Sequence, residues 1–154
     1  RHGMAGPGLR SDCAPLASLV ETLLASGADV HSMHDPTRGG AAVTCNEVAA
    51  RAGVRIVLDE ASLPVRGEVT AIAEMLGLDP LYLASEGRAL VWVAAPDADR
   101  ALDALRSHPL GRGAARIGEV AAAPPGSVPV LLRTRIGGER PVDLLSGMDL
   151  PRIC

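Results

Sequence analysis

Apolar residues recur at helical spacing in four stretches of the chain, and each stretch is bordered by residues typical of helix ends. The predicted helices begin near Pro15, Asp35, Pro64 and Asp97. Glycines are placed to end the first three, at Gly27, Gly53 and Gly77. The carboxylate of Asp97 is expected to cap the fourth helix.

Shorter apolar runs between and after these helices predict five strands, at residues 54–58, 89–94, 115–120, 128–135 and 140–144. The run at 89–94 is continuously apolar, which is typical of a buried strand. Gly137 and Gly138 lie between the last two strands and indicate a hairpin. Because helices and strands both alternate and cluster, the pattern predicts an α/β (α+β) fold, with a mixed β-sheet packed by about four helices.

Composition excludes several classes of function. The net charge is −3 and the only aromatic residues are Tyr82 and Trp92, which argues against a nucleic-acid surface. Charged residues interrupt every apolar run, so no membrane span is predicted. The three cysteines are widely spaced, which fits a reducing cytoplasm better than a disulfide framework or a zinc site. No metal site is predicted.

The run Asp35-Pro36-Thr37-Arg38-Gly39-Gly40 is a candidate anion site at the start of the second helix. Glycines in a first helical turn expose backbone N–H groups to a phosphate, and Arg38 could add charge-assisted hydrogen bonds. A capped helix whose glycines permit close packing explains the run equally well. Beyond it, Asn46 could face a site, whereas Glu47 is expected on the solvated face.

Glu86 precedes the predicted strand at 89–94. A carboxylate at the mouth of a strand can act as a general base if partial burial raises its pKa. The alternative is a loop carboxylate that accepts backbone hydrogen bonds, and the residues alone favour that alternative.

The last residue of the sequence is Cys154, preceded by Pro151, Arg152 and Ile153. A thiol on such a tail, residues 146–154, could carry a reactive group, because the tail can extend about 30 Å. The α-carboxylate on the same residue disfavours the thiolate, so reactivity is expected only after docking into a site that supplies positive charge or a base. An incidental thiol is the alternative, and position alone favours it.

Several segments together resemble one family. They include Ser11-Asp12-Cys13-Ala14-Pro15-Leu16, the Asp35–Gly40 run, Asn46-Glu47, Glu86-Gly87, Leu145-Ser146-Gly147 and the closing Pro151-Arg152-Ile153-Cys154. The chain resembles the C-terminal half of HypE, the carbamoyl dehydratase of nickel–iron hydrogenase maturation. The Asp35–Gly40 run is shared more loosely with aminoimidazole ribonucleotide synthetase and its relatives, whose C-terminal-domain fold is the one implied.

The resemblance implies a carrier chemistry. A HypF-like carbamoyltransferase places carbamoyl on the terminal thiol, ATP activates the carbamoyl oxygen, and the resulting thiocyanate donates cyanide to iron on a HypC–HypD-like scaffold. By the same resemblance, Cys154 is the carrier, Glu86 a base for the amide protons, and Thr37, Arg38, Gly39 and Gly40 border the phosphate. ATP and Mg²⁺ would bind mainly through an N-terminal domain, with no cofactor tightly bound to this chain. The full-length family member is expected to be a homodimer.

The domain organisation expected from the resemblance has three parts. Residues 1–10 are a linker or a remnant of an absent N-terminal ATP-binding domain, residues 11–145 form the C-terminal α/β domain, and residues 146–154 are the tail. The chain alone is therefore expected to be inactive. His34 and Cys45 depart from the family pattern, where an arginine and an apolar residue are expected. Two other readings stay open: a non-catalytic module that docks on maturation partners, and a related synthetase domain with an incidental tail cysteine.

Overall fold

A computed structural model describes residues 11–144 of the chain, which form four α-helices and six strands. The helices are α1 (Ala17–Ala25), α2 (Gly40–Ala52), α3 (Gly67–Leu76) and α4 (Ala98–Ser107). The strands are β1 (Val30–His34), β2 (Val54–Asp59), β3 (Leu90–Val93), β4 (Gly118–Ala122), β5 (Val130–Arg133) and β6 (Glu139–Pro141). No helix in this part of the chain has the length and apolar character that crossing a bilayer requires.

Four strands form the predicted mixed sheet, in the order β4-β2-β5-β6. Strand β2 pairs parallel with β5 and antiparallel with β4, and Ile56 lies between Val120 and Val130. Strands β5 and β6 form the predicted hairpin, whose turn is closed by hydrogen bonds from Thr134 N–H to the Gly138 carbonyl and from Gly137 N–H to the Thr134 carbonyl. The hairpin brings the end of β6 next to the centre of the sheet.

Strands β1 and β3 form a second, two-stranded antiparallel sheet. The prediction of a buried strand at 89–94 is therefore only half right, because within residues 11–144 β3 pairs only with β1, and its four residues are half-buried. Strand β1, which carries His31 and Met33, was not predicted. Its mixed polar and apolar residues hide the strand pattern, and its pairing with β3 is a contact between distant parts of the chain.

The core lies between α2 and the four-stranded sheet. Small side chains of the helix, Ala42, Cys45 and Ala49, are all at most 1 % exposed and share one hydrophobic cluster with the sheet residues Ile56, Leu58, Val130, Leu132 and Val142. Small residues let the helix approach the sheet closely, and branched aliphatic residues fill the remaining space. This packing fixes the orientation of α2 about its own axis.

The helices end at the predicted glycines, but the capping prediction for α4 is wrong. Gly53 and Gly77 adopt positive φ at the ends of α2 and α3, as a left-handed helix terminus requires. The predicted capping role of Asp97 is wrong, because its carboxylate accepts a hydrogen bond from the N–H of Asp29 and pairs with Arg100 instead of bonding the first turn of α4. Helix α3 leaves Met75 and Leu76, two of the apolar residues at helical spacing, largely exposed.

Candidate functional site

The turn at residues 35–40 connects β1 to α2 and depends on its two glycines. Gly39 has φ +78° and Gly40 has φ +62°, a left-handed region that disfavours any other residue. The N–H of Gly40 donates to the carbonyl of Thr37, 3.0 Å away. The expectation that both glycine N–H groups would face a phosphate is therefore wrong for Gly40. The helix also begins at Gly40 without a side-chain cap.

A surface cavity of about 400 Å³ opens beside this turn. Its polar lining comprises His34, Asp35, Thr37, Arg38, Thr44 and Glu47. One guanidinium and two carboxylates face the same space, so the cavity combines strong hydrogen-bond donors with strong acceptors. Such a mixture suits a group that both accepts and donates hydrogen bonds, and Arg38 supplies the positive charge that an anion requires.

Asn46 and Glu47 are neighbours on α2, and only Glu47 reaches the candidate site. Asn46 is 5 % exposed, and its side-chain amide donates to the carbonyls of Ala42 and Val142. Glu47 is exposed, as expected, and it lines the cavity. Neighbouring helix residues point about 100° apart, so the face buried against the sheet decides which of the two reaches the site.

The loop that carries Glu86 packs against the turn at residues 35–40. The N–H of Ser85 donates to the carbonyl of Pro36 at 2.9 Å. A Cβ atom on Gly40 would lie 2.5 Å from the carbonyl oxygen of Leu81 and 2.6 Å from that of Leu83. The structure thus brings two predicted site elements into neighbouring loops, with Glu86 exposed directly after the hydrogen-bonded Ser85.

Gly87 allows a further close approach. A Cβ atom there would overlap the carbonyl of Asp12, so the segment at residues 11–14 crosses directly over the loop next to Glu86. Both segments belong to the set on which the family resemblance rests. Glycine is required here by space, since its φ is not in the left-handed region.

Tyr82 and Asp79, which belong to a segment shared with the family but were not predicted as site residues, contact the last part of the described chain. The hydroxyl of Tyr82 donates to the carbonyl of Asp143 at 2.8 Å, and the carboxylate of Asp79 pairs with Arg140 at 2.5 Å. Burial raises the pKa of Tyr82, and the nearby carboxylate of Asp79 raises it further. The signal in the sequence was the scarcity of aromatics, since the chain has a single Tyr and no Phe.

The cysteines differ in environment. Cys13 is exposed, whereas Cys45 is 1 % exposed, and burial raises the pKa of its thiol to about 12. Cys45 is therefore an unreactive core residue that occupies the place of the apolar side chain expected from the family pattern. Cys154, Pro151, Arg152 and Ile153 lie outside the described residues.

His31 and His34 lie on β1 and have different partners. His31 lies 3.4 Å from the carboxylate of Asp29, and the rings of His34 and Trp92 form a T-shaped pair with their centroids 6.2 Å apart. Among residues 11–144, no three His, Cys, Asp or Glu side chains converge as a set of metal ligands.

Comparisons with known proteins agree with this architecture. The family described as AIR synthase related protein, C-terminal domain, matches residues 2–130. The carbamoyl dehydratase HypE of Cupriavidus necator is 53 % identical over 146 residues, which are 95 % of this chain and 41 % of that protein. The chain thus spans about two fifths of the curated relatives it matches.

Several solved structures share the fold. A hydrogenase maturation protein HypE in complex with ATP superposes with a TM-score of 0.88 at 39 % identity, covering 97 % of this chain and 45 % of that one. A HypE–HypF complex gives a TM-score of 0.82 at 38 % identity, covering 88 % of this chain and 43 % of that one.

Proposed function

We propose that this chain, which belongs to the family of AIR synthase-related C-terminal domains, is the C-terminal part of an ATP-dependent carbamoyl dehydratase. The enzyme would serve the maturation of nickel–iron hydrogenase. The similarity to HypE along nearly the whole chain supports this proposal. The remaining three fifths of such a protein would supply most of the ATP and Mg²⁺ site. The C-terminal part would supply the carrier thiol and groups that act on the carbamoyl group.

The proposed reaction converts a carbamoyl thioester on Cys154 into a thiocyanate. The carbamoyl oxygen attacks the γ-phosphate of ATP, the bond to ADP breaks, and the nitrogen loses one proton. Loss of the second N–H proton and departure of phosphate from carbon then form the C≡N triple bond. The net products are the Cys154 thiocyanate, ADP, phosphate and a proton, with no redox change. A base near nitrogen and a site that excludes water favour both steps.

The residues have separate proposed roles. Cys154 carries the group, Glu86 accepts the amide protons, and Arg38 with Thr37, Gly39 and Gly40 forms the border of the phosphate end. The observation that carries this assignment is the hydrogen bond from Ser85 to Pro36, since it places the Glu86 loop against the Arg38 turn. Because the N–H of Gly40 already donates to the carbonyl of Thr37, Arg38 is the main anion-binding group of the turn in this proposal.

The proposed partners follow from the same chemistry. A HypF-like carbamoyltransferase would load the thiol, and the HypE–HypF complex supports that choice. A HypC–HypD-like iron scaffold would accept cyanide, and the full-length protein would form a homodimer.

Intact mass measurement and peptide mapping of the full-length protein test the proposal. The protein is incubated with the carbamoyltransferase, carbamoyl phosphate and ATP, beside a Cys154→Ala variant. We expect a carbamoyl adduct on the peptide that contains Cys154, and this adduct should lose the mass of one water when ATP is present but not when ATP is left out. Unchanged modification of the Cys154→Ala variant would disprove the carrier role and favour a docking module.

A further inference from the structure

We propose that Tyr82 and Asp79 are positioning residues that fix the place of residues 140–144, from which the sequence continues to Cys154. This inference rests on the proposed function, in which Cys154 is the carrier. It concerns residues 140–144, the last part of the described chain, which we call the exit segment.

Hydrogen bonds hold the exit segment on both sides. The N–H of Val142 donates to the carbonyl of Val130 in the sheet at 3.0 Å, and the carbonyl of Val142 accepts from the buried Asn46 side chain at 2.7 Å. The next carbonyl, that of Asp143, accepts from the hydroxyl of Tyr82 at 2.8 Å. Two successive carbonyls are thus held by side chains from two distant elements, beyond the last residue of β6.

Asp79 connects the exit segment to the loop that holds Tyr82. One carboxylate oxygen of Asp79 accepts from the N–H of Leu81 at 2.9 Å and so orders the single turn at residues 80–82. The other oxygen binds the guanidinium of Arg140 at 2.5 Å. Hydrogen bonds that involve a charged group are stronger than neutral ones, so this pair fixes the distance between the loop and β6.

The same loop borders the candidate site. The carbonyls on either side of Tyr82, those of Leu81 and Leu83, contact Gly40, and Ser85 is bonded to Pro36. The turn that borders the cavity, the loop before Glu86 and the exit segment are therefore connected through direct contacts. A change at the exit segment alters where the chain to Cys154 starts relative to Glu86 and Arg38.

The position of the exit segment matters because the chain between it and Cys154 is short. Ten residues follow Leu144, up to and including Cys154, and they span at most about 35 Å when extended. Fixing one end of such a tether raises the effective concentration of the thiol near any target within reach. Correct placement of a reacting group is worth orders of magnitude in rate. The exit segment therefore contributes to the dehydration step without contacting the reacting atoms.

Tyr82→Phe tests the proposal because it removes only the hydroxyl. Ser107→Ala is the matched control, since it also removes one hydroxyl that donates to a backbone carbonyl, at the exposed end of α4. In full-length protein that carries carbamoyl on Cys154, single-turnover loss of water is measured at several ATP concentrations. We expect Tyr82→Phe to slow this step about fivefold at saturating ATP with an unchanged KM for ATP, and Ser107→Ala to leave it unchanged.

A spectroscopic measurement tests the position of the exit segment directly. Nitroxide labels are placed at Leu144→Cys and Arg51→Cys, both exposed, in full-length protein that carries Cys13→Ser and Cys154→Ser. We expect Tyr82→Phe and Asp79→Asn to broaden the distance distribution between the labels, and Ser107→Ala to leave it unchanged. Asp79→Asn provides a second route if Tyr82→Phe does not fold.

The outcomes separate the two proposals. Unchanged label distances in both variants overturn the positioning role, as does a broadened distribution with an unchanged dehydration rate. Absence of a carbamoyl adduct on Cys154 in the unaltered protein overturns the proposed function, and with it the purpose assigned to the exit segment, whatever the labels report.

Discussion

The side-chain amide of Asn46 donates a hydrogen bond to the carbonyl of Val142, 2.7 Å away and 96 residues later in the chain. The same amide donates to the carbonyl of Ala42 at 2.9 Å, so both of its hydrogens are used inside the core. This one side chain joins the middle of α2 to the segment that follows β6. It is the only Asn in the sequence, and its role is structural.

Replacing Asn46 with Ala is expected to lower the free energy of unfolding by about 2 kcal/mol, because the buried carbonyl of Val142 loses its side-chain donor. Urea unfolding of the full-length protein measures the change. Ser107→Ala, which removes an exposed hydrogen bond, is the control and should cost less than about 0.5 kcal/mol. Equal effects of the two changes would contradict the structural role of Asn46.

Gly40→Ala is expected to destabilise the protein by about 3 kcal/mol. The residue has positive φ, and the added Cβ would press on the carbonyls of Leu81 and Leu83. Gly53→Ala is the matched control, since Gly53 has φ +65° with open space around it and should cost about 1 kcal/mol. Unfolding curves that show the same loss for both variants would exclude the contact between the loop and α2.

Stability is expected to fall at alkaline pH because of Cys45. Its pKa is about 12 in the folded protein, against 9.0 for an ordinary thiol, so the unfolded chain releases the proton first as the pH rises. The stabilisation is complete below pH 9 and is lost between pH 9 and pH 12. The loss reaches about 1 kcal/mol at pH 10.

Unfolding measured at pH 8 and pH 10 checks this prediction against Cys45→Ala. The variant should be less stable at pH 8 but should show a smaller fall between the two values. Tyr82, whose pKa is also raised, contributes to the fall in both proteins and cancels in the comparison. The prediction fails if both proteins show the same fall.

Glu86→Gln is expected to slow the conversion of carbamoyl to thiocyanate on Cys154 at least about 100-fold, as the loss of a general base does. Loading of carbamoyl should stay unchanged, because it requires the thiol and the partner enzyme. Glu119→Gln, a neutralised carboxylate on exposed β4, controls for charge. Mass spectrometry of the Cys154 peptide over time gives both rates, and normal conversion in Glu86→Gln would remove this residue from the mechanism.

Much of the local structure could be predicted from the sequence, because it depends on neighbours in the chain. Gly53 and Gly77 end their helices since glycine accepts the left-handed conformation without strain. The Gly137-Gly138 turn and the alternation of helices and strands likewise come from local preferences. The resemblance at the closing residues, on which the carrier proposal rests, is also a property of the sequence alone.

The tertiary structure decided which side chains meet. The pattern predicts that Asn46 could face a site and that Glu47 lies on the solvated face, and only the packing of α2 against the sheet turns the first inward and the second toward the cavity. The contact between Tyr82 and Asp143 joins residues 61 positions apart, which no local pattern encodes. Side chains far apart in the chain become neighbours through the burial of apolar surface, a non-directional force, and hydrogen-bond geometry then selects the partners.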